Sequence, residues 1–234
     1  MRILVTAAED QELQRAIKAY NEVKQQHEVK QQHEVQAQVD FHLTGIGAVQ
    51  ACHRVTKEIM KGIIENNPYS LVVNLGIAGS YDLENYPIGS AAVISREYFA
   101  DLGFGSNEGF SDLFQYGILN KDEFPYTGGA LARQLLPYKE IEEVLARYKE
   151  GAGATVQCVT GTPEKLQELI ELYDPKIESM EGAGVYYASL MEKVPFFELR
   201  TVSNAVGERD TSKWNSREAL DTLEECCREI FSVI

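Results

Sequence analysis

The sequence predicts an α/β fold, a three-layer αβα sandwich around a central mixed, mostly parallel sheet, on three observations. Short β-branched runs alternate with stretches of helical period along the chain. The run Leu71-Val72-Val73 is apolar at every position, as a strand covered on both faces must be. Two runs break on glycine, at TGIG (44–47) and LGIAG (75–79), where open α/β sheets turn into ligand-binding loops.

The elements follow in order. RILVTA at 2–7 is a strand, and Leu13, Ile17 and Tyr20 then recur at helical spacing, leaving Glu9, Asp10, Gln11 and Glu12 in the loop between. Residues 21–38 hold a six-residue repeat, NEVKQQ, HEVKQQ, HEVQAQ, read as a solvated low-complexity expansion between the first helix and the next strand. A strand into Gly45-Ile46-Gly47 precedes a helix with Val49, Cys52, Val55, Ile59 and Ile63 on one face. Gln50 stands where a dinucleotide fingerprint needs its third glycine, so no Rossmann cofactor site is expected.

Strands are expected over 70–80 and 90–100, and a long loop or lid, rich in Gly, Phe and acids, over 101–117. A helix at 140–150, a strand ATVQCVTG at 154–161, a helix at 163–173 and a short strand at 176–180 come next. Gly182 to Lys193 suits a helix, PFFELRTVS is the last core strand, and Asn215-Ser216-Arg217-Glu218 has the spacing of a capping box opening a C-terminal helix. No linker divides the chain, which is read as one domain over 1–234.

A chain of 234 residues with a formal charge of −14 is repelled from phosphate backbones and anionic membranes, so the expected partner is a small molecule rather than nucleic acid or membrane. No apolar run approaches the ~20 residues of a membrane span, and a cytoplasmic setting is expected. Cys52, Cys158, Cys226 and Cys227 show no C-x-x-C pairing and read as reduced thiols, and the four histidines match no zinc spacing. Neither metal nor cofactor is expected.

Three polar residues mark strand ends: Glu12 after the first strand, Glu181 in SMEGAG before a helix, and Asn204 closing RTVSN. Each has an ordinary structural reading. Glu181 can serve a helix macrodipole, and Asn204 can bond its own turn.

Taken in order, TGIG with its helix, LGIAG, SMEGAG and RTVSN resemble the nucleoside phosphorylase and nucleosidase superfamily over nearly the whole chain. The SNAVGERD…W ending is most similar to the futalosine hydrolases, nucleosidases of the menaquinone pathway. The resemblance implies a nucleoside phosphorylase-like fold, a homo-oligomer and cleavage of an N-glycosidic bond. It makes Glu12 the activator of the attacking water, helped by Arg200 and the Gly76-Ile77-Ala78-Gly79 turn; Met180 packs on the ribose, Glu181 grips its hydroxyls, Ser203 joins the substrate-binding residues, and Asn204 meets the base.

Asn204 presents an NH₂ donor for O6 and a carbonyl acceptor for a protonated N7, which matches hypoxanthine and opposes adenine. Asn cannot be the general acid, so Asp210 is a candidate proton donor or else a structural residue. The acidic loop AAEDQE repels phosphate and favours water as nucleophile. Phe104, Phe110, Phe114 and Tyr116 of the lid, with Arg209, Lys213 and Trp214, are candidates to meet a substrate tail, or plain packing residues. Two alternatives stay open: another purine nucleosidase or phosphorylase of this fold, and a non-catalytic nucleoside-binding protein.

Overall fold

Strands β1 (Arg2–Ala7), β2 (Gln38–Leu43) and β3 (Leu71–Ser80) run parallel, with β1 in the middle, in a computed structural model that describes residues 1–29, 37–106 and 109–234. Alternation along them splits the apolar side chains between two cores. Ile3, Val5, Leu71, Val73 and Leu75 enter one, while Leu4 and Val72 enter the other.

The first core is covered by α1 (Asp10–Val29), α3 (Lys139–Leu145) and α6 (Ser216–Phe231), the second by α2 (Ala48–Ile64) and α5 (Gly182–Met191). A smaller cluster around Leu169 lies under α4 (Pro163–Tyr173). Asn215 caps α6 by accepting the Glu218 N–H at 3.3 Å, as its spacing predicts. Among the described residues no helix is long and apolar enough to cross a membrane.

The class is mixed α/β, yet the sheet is not a flat middle layer. β3 offers one edge to β11 (Phe196–Ala205) and shares the other between β1 and β10 (Ile177–Ser179). β11 continues to β4 (Ala91–Phe99), β4 to β9 (Lys149–Thr155) and β9 to β10, so these five strands close into a ring. Two short strands, β7 (Tyr126–Thr127) and β8 (Ala130–Ala132), extend β4 as an antiparallel flap.

Several boundaries differ from expectation, each for a physical reason. Helix α1 takes in NEVKQQ and HEV of the repeat, where Glu, Lys and Gln are good helix formers; residues 30–36 of the repeat lie outside the described segments. The strand placed at 154–161 is β9, at 149–155. It begins earlier because Gly153 belongs to it: a Cβ there would stand 2.1 Å from the buried Oε1 of Glu97.

Helix α2 turns Ala48, Ala51, Val55 and Ile59 inward and leaves Val49 and Ile63 exposed, against the face the sequence suggested. At its start the backbone of Ala48 lies against Gly184 of α5, where any Cβ would meet its carbonyl oxygen at 2.2 Å. The expected loop at 101–117 contains a hairpin, β5 (Gly103–Ser106) and β6 (Gly109–Asp112). All four cysteines are free thiols.

Candidate active site

The carboxyl ends of β1, β3 and β11 meet the start of α5, and their side chains enclose a cavity of about 240 Å³. Its lining includes Glu12, Ile77, Ala78, Gly79, Met180, Glu181, Ser203 and Asn204, residues drawn from four separate stretches of sequence. Gly76 and Arg200 lie behind this wall.

Helix α1 begins at Asp10, which places Glu12 in its first turn rather than in the expected loop. The carboxylate folds back: Oε2 accepts the N–H of Ala8 at 3.2 Å and of Glu9 at 3.0 Å, and Oε1 accepts the N–H of Ile77 at 2.9 Å. Burial raises its pKa above the usual glutamate value, while Arg200 and the Ile77 and Glu9 N–H groups pull it part of the way back. Such a group is a carboxylate of enhanced basicity held at a fixed point.

Glu181 occupies the N-cap of α5, and its side chain makes no capping bond to its own helix. Its Oε1 accepts the N–H of Gly47, the N-cap of α2, at 3.0 Å, so the starts of two helices stabilise one anion. Gly182 and Gly184 lie behind it and leave no space for a ligand. Their missing Cβ atoms admit Glu97 and the α2 backbone.

Arg200 is the buried cation among these acids. Its Nε donates to Glu198 Oε1 at 2.6 Å, and Nη2 lies 3.7 Å from Glu181 Oε2 with no hydrogen-bond partner among the described residues. Burial opposes its charge, yet Glu198, Glu181 and Glu12 together raise its pKa above the ordinary arginine value. Gly76 makes the approach possible: a Cβ there would stand 2.3 Å from Nη1 of Arg200 and 2.9 Å from Oε1 of Glu12. Beneath lies Glu97, pushed toward its neutral form by burial and by Glu198, with Thr155 Oγ1 donating to it at 2.8 Å.

A register shift between Val202 and Asn204 pairs Asn204 rather than Ser203 with Gly79 and so aims the amide into the cavity. The Nδ2 group donates to the Ala205 carbonyl at 2.8 Å, which leaves one N–H free. Oδ1 accepts from Ser203 Oγ at 2.7 Å and keeps a second lone pair. This amide orientation is assigned from those two bonds.

Of the tail candidates, Trp214 alone lines the cavity; its Nε1 donates to Glu208 O at 3.0 Å. Phe104 packs on Tyr116 and Phe114 on Tyr126, Lys165 stands over the Phe110 ring, Lys213 pairs with Glu208, and Arg209 lies against Gly161. Asp210 is exposed and caps a short turn by accepting from Ser212 N and Oγ, contacts that lower its pKa. It is not among the residues that line the cavity.

Sequence reading missed Glu9, Ile46, Val159, Glu178 and Ser179 as lining residues. A carboxylate inside the apolar KIESM strand was the available signal for Glu178.

The family model of the phosphorylase superfamily matches residues 2–234. A futalosine hydrolase of Streptomyces coelicolor is 30% identical over 196 residues, covering 83% of this chain and 79% of that protein. One from Thermus thermophilus is 30% identical over 197 residues, with 81% and 79% covered. The solved structure of Helicobacter pylori futalosine hydrolase superposes with a TM-score of 0.75 at 15% identity, over 98% of this chain and 97% of that one. The chain therefore belongs to the phosphorylase superfamily and, within it, to the futalosine hydrolase family.

Proposed function

We propose that residues 1–234 act as one nucleosidase domain that hydrolyses the N-glycosidic bond of futalosine and releases hypoxanthine. The observation that carries this reading is the convergence of Glu12, Glu181 and Asn204 on one cavity, in a chain 30% identical to futalosine hydrolases.

The roles follow from the chemistry. Breaking the bond to a purine leaves an oxocarbenium-like ribose, which anions beside the ring stabilise. Glu12 takes a proton from the attacking water, and Arg200, buried behind the wall, holds Glu12 and Glu181 in place by its charge. Glu181 accepts from the ribose hydroxyls with Met180 against the sugar. The free N–H of Asn204 meets O6, and its remaining lone pair accepts from a protonated N7.

Water rather than phosphate is the nucleophile, because Glu9, Glu12, Glu178 and Glu181 line the cavity and, among the described residues, no Lys or Arg does. Helices on both sides of the closed sheet support the αβα description, and free thiols fit a reducing cytoplasm. Exposed Ile46, Val49, Met60, Ile63 and Ile64 on and beside α2 fit a homo-oligomer interface.

Chromatography of the protein incubated with futalosine, inosine and methylthioadenosine tests this reading. Hypoxanthine from futalosine is the expected product. Adenine from methylthioadenosine, with futalosine intact, would overturn the substrate and leave the fold family standing.

A further inference from the structure

The glycosidic chemistry gives no task to Glu178, a carboxylate of the cavity. Glu178 lies on β10, lines the same cavity as Asn204, and is only 6% exposed. The strand register places it precisely enough to matter: Glu178 pairs with Gly79 across β10 and β3, and Asn204 pairs with Gly79 across β11 and β3. The two side chains therefore flank a residue with no side chain of its own. Two strand spacings, roughly 9.5 Å, separate their backbones, a gap that a flat heterocycle with a hydrogen bond at each end can fill.

Glu178 is also held. Its Oε2 accepts the phenol of Tyr81 at 2.5 Å and its Oε1 accepts the N–H of Thr160 at 3.2 Å. A carboxylate offers about four lone-pair sites, so two remain for a ligand. The Tyr81 phenol, buried beside this anion, has its pKa raised and stays a donor. Every contact of Glu178 thus leaves it an acceptor facing the base.

We infer that Glu178 accepts the N1–H of a 6-oxopurine while Asn204 takes O6 and N7, so that the pair reads hypoxanthine across Gly79. The inference rests on the proposed function and adds a second specificity residue to it. An adenine ring has a lone pair at N1, which would face the carboxylate lone pairs unpaired, so Glu178 excludes adenine as Asn204 does.

The test measures inhibition of futalosine cleavage by hypoxanthine and by purine, which lacks both O6 and N1–H, in the wild-type chain and in Glu178→Ala. The variant is expected to lose about 10- to 100-fold in hypoxanthine affinity. Its purine affinity should stay within about threefold, because purine never used that acceptor. A merely structural role for Glu178, holding Thr160 and Tyr81, would weaken both bases in parallel, and that outcome overturns the inference.

A second measurement needs no variant. 1-Methylhypoxanthine, with its donor replaced by a methyl group, should inhibit the wild-type protein at least about tenfold more weakly than hypoxanthine. Equal inhibition would overturn the role of Glu178. Wild-type protein that releases no hypoxanthine from futalosine would instead refute the proposed function itself.

Discussion

Replacing Gly76 by alanine should damage stability and catalysis together, since the added methyl has nowhere to go. Its carbon would stand 2.3 Å from Nη1 of Arg200 and 2.9 Å from Oε1 of Glu12, where an ordinary contact needs at least 3.4 Å. Neither neighbour can yield cheaply. Arg200 is buried and bound to Glu198 at 2.6 Å, and Glu12 is tied to the Ile77 N–H at 2.9 Å. Overpacking of this kind costs about 1–3 kcal/mol, and displacing a buried ion pair adds to it, so about 2–4 kcal/mol is expected.

A shift of the base by about 1 Å costs on the order of 100-fold in rate. The assay is urea unfolding of Gly76→Ala beside kcat and KM under conditions where it is folded, with the loss expected mainly in kcat. A variant within about 0.5 kcal/mol of wild type and with normal kcat would refute the packing described here.

Glu12→Gln should lower kcat by about 10² to 10⁴ while the thermal melt persists, and a loss below tenfold would remove Glu12 from the mechanism. The pH profile carries the same claim. Because burial raises the Glu12 pKa, kcat/KM should climb with pH through an inflection above 4.5. The folded state also binds that proton more tightly than the unfolded one, so the Glu12 contribution to stability falls as pH rises from 4.5 through the raised value. An inflection at or below 4.5 would contradict the assigned environment. Asn204→Asp should weaken hypoxanthine release and permit some adenine release from adenine nucleosides; an unchanged substrate profile would count against Asn204 as base reader.

Much of this site was legible in the sequence because strand ends carry function. Glu12, Gly76 to Gly79, Glu181 and Asn204 each interrupt an apolar pattern, and the structure gathers them at or just behind one cavity, although Gly76 to Gly79 continue strand β3 instead of forming the expected turn. What periodicity could not reveal is how strands pair. Glu178 and Asn204 become neighbours of Gly79 only through the closure of β10, β3 and β11, and Asn204 faces the cavity only through a one-residue register shift. Buried Glu97 and Glu198 were hidden for a related reason, since Thr155 and Asn74, which bond them, come from other strands. Gly153 and Gly182 proved to be spaces left for those acids.

The most direct test is the fate of oxygen when futalosine is cleaved in ¹⁸O-labelled water containing inorganic phosphate. The account predicts free hypoxanthine, a sugar product carrying the heavy oxygen at its anomeric carbon, and a rate indifferent to phosphate. A sugar phosphate without the label would contradict it and make the enzyme a phosphorylase.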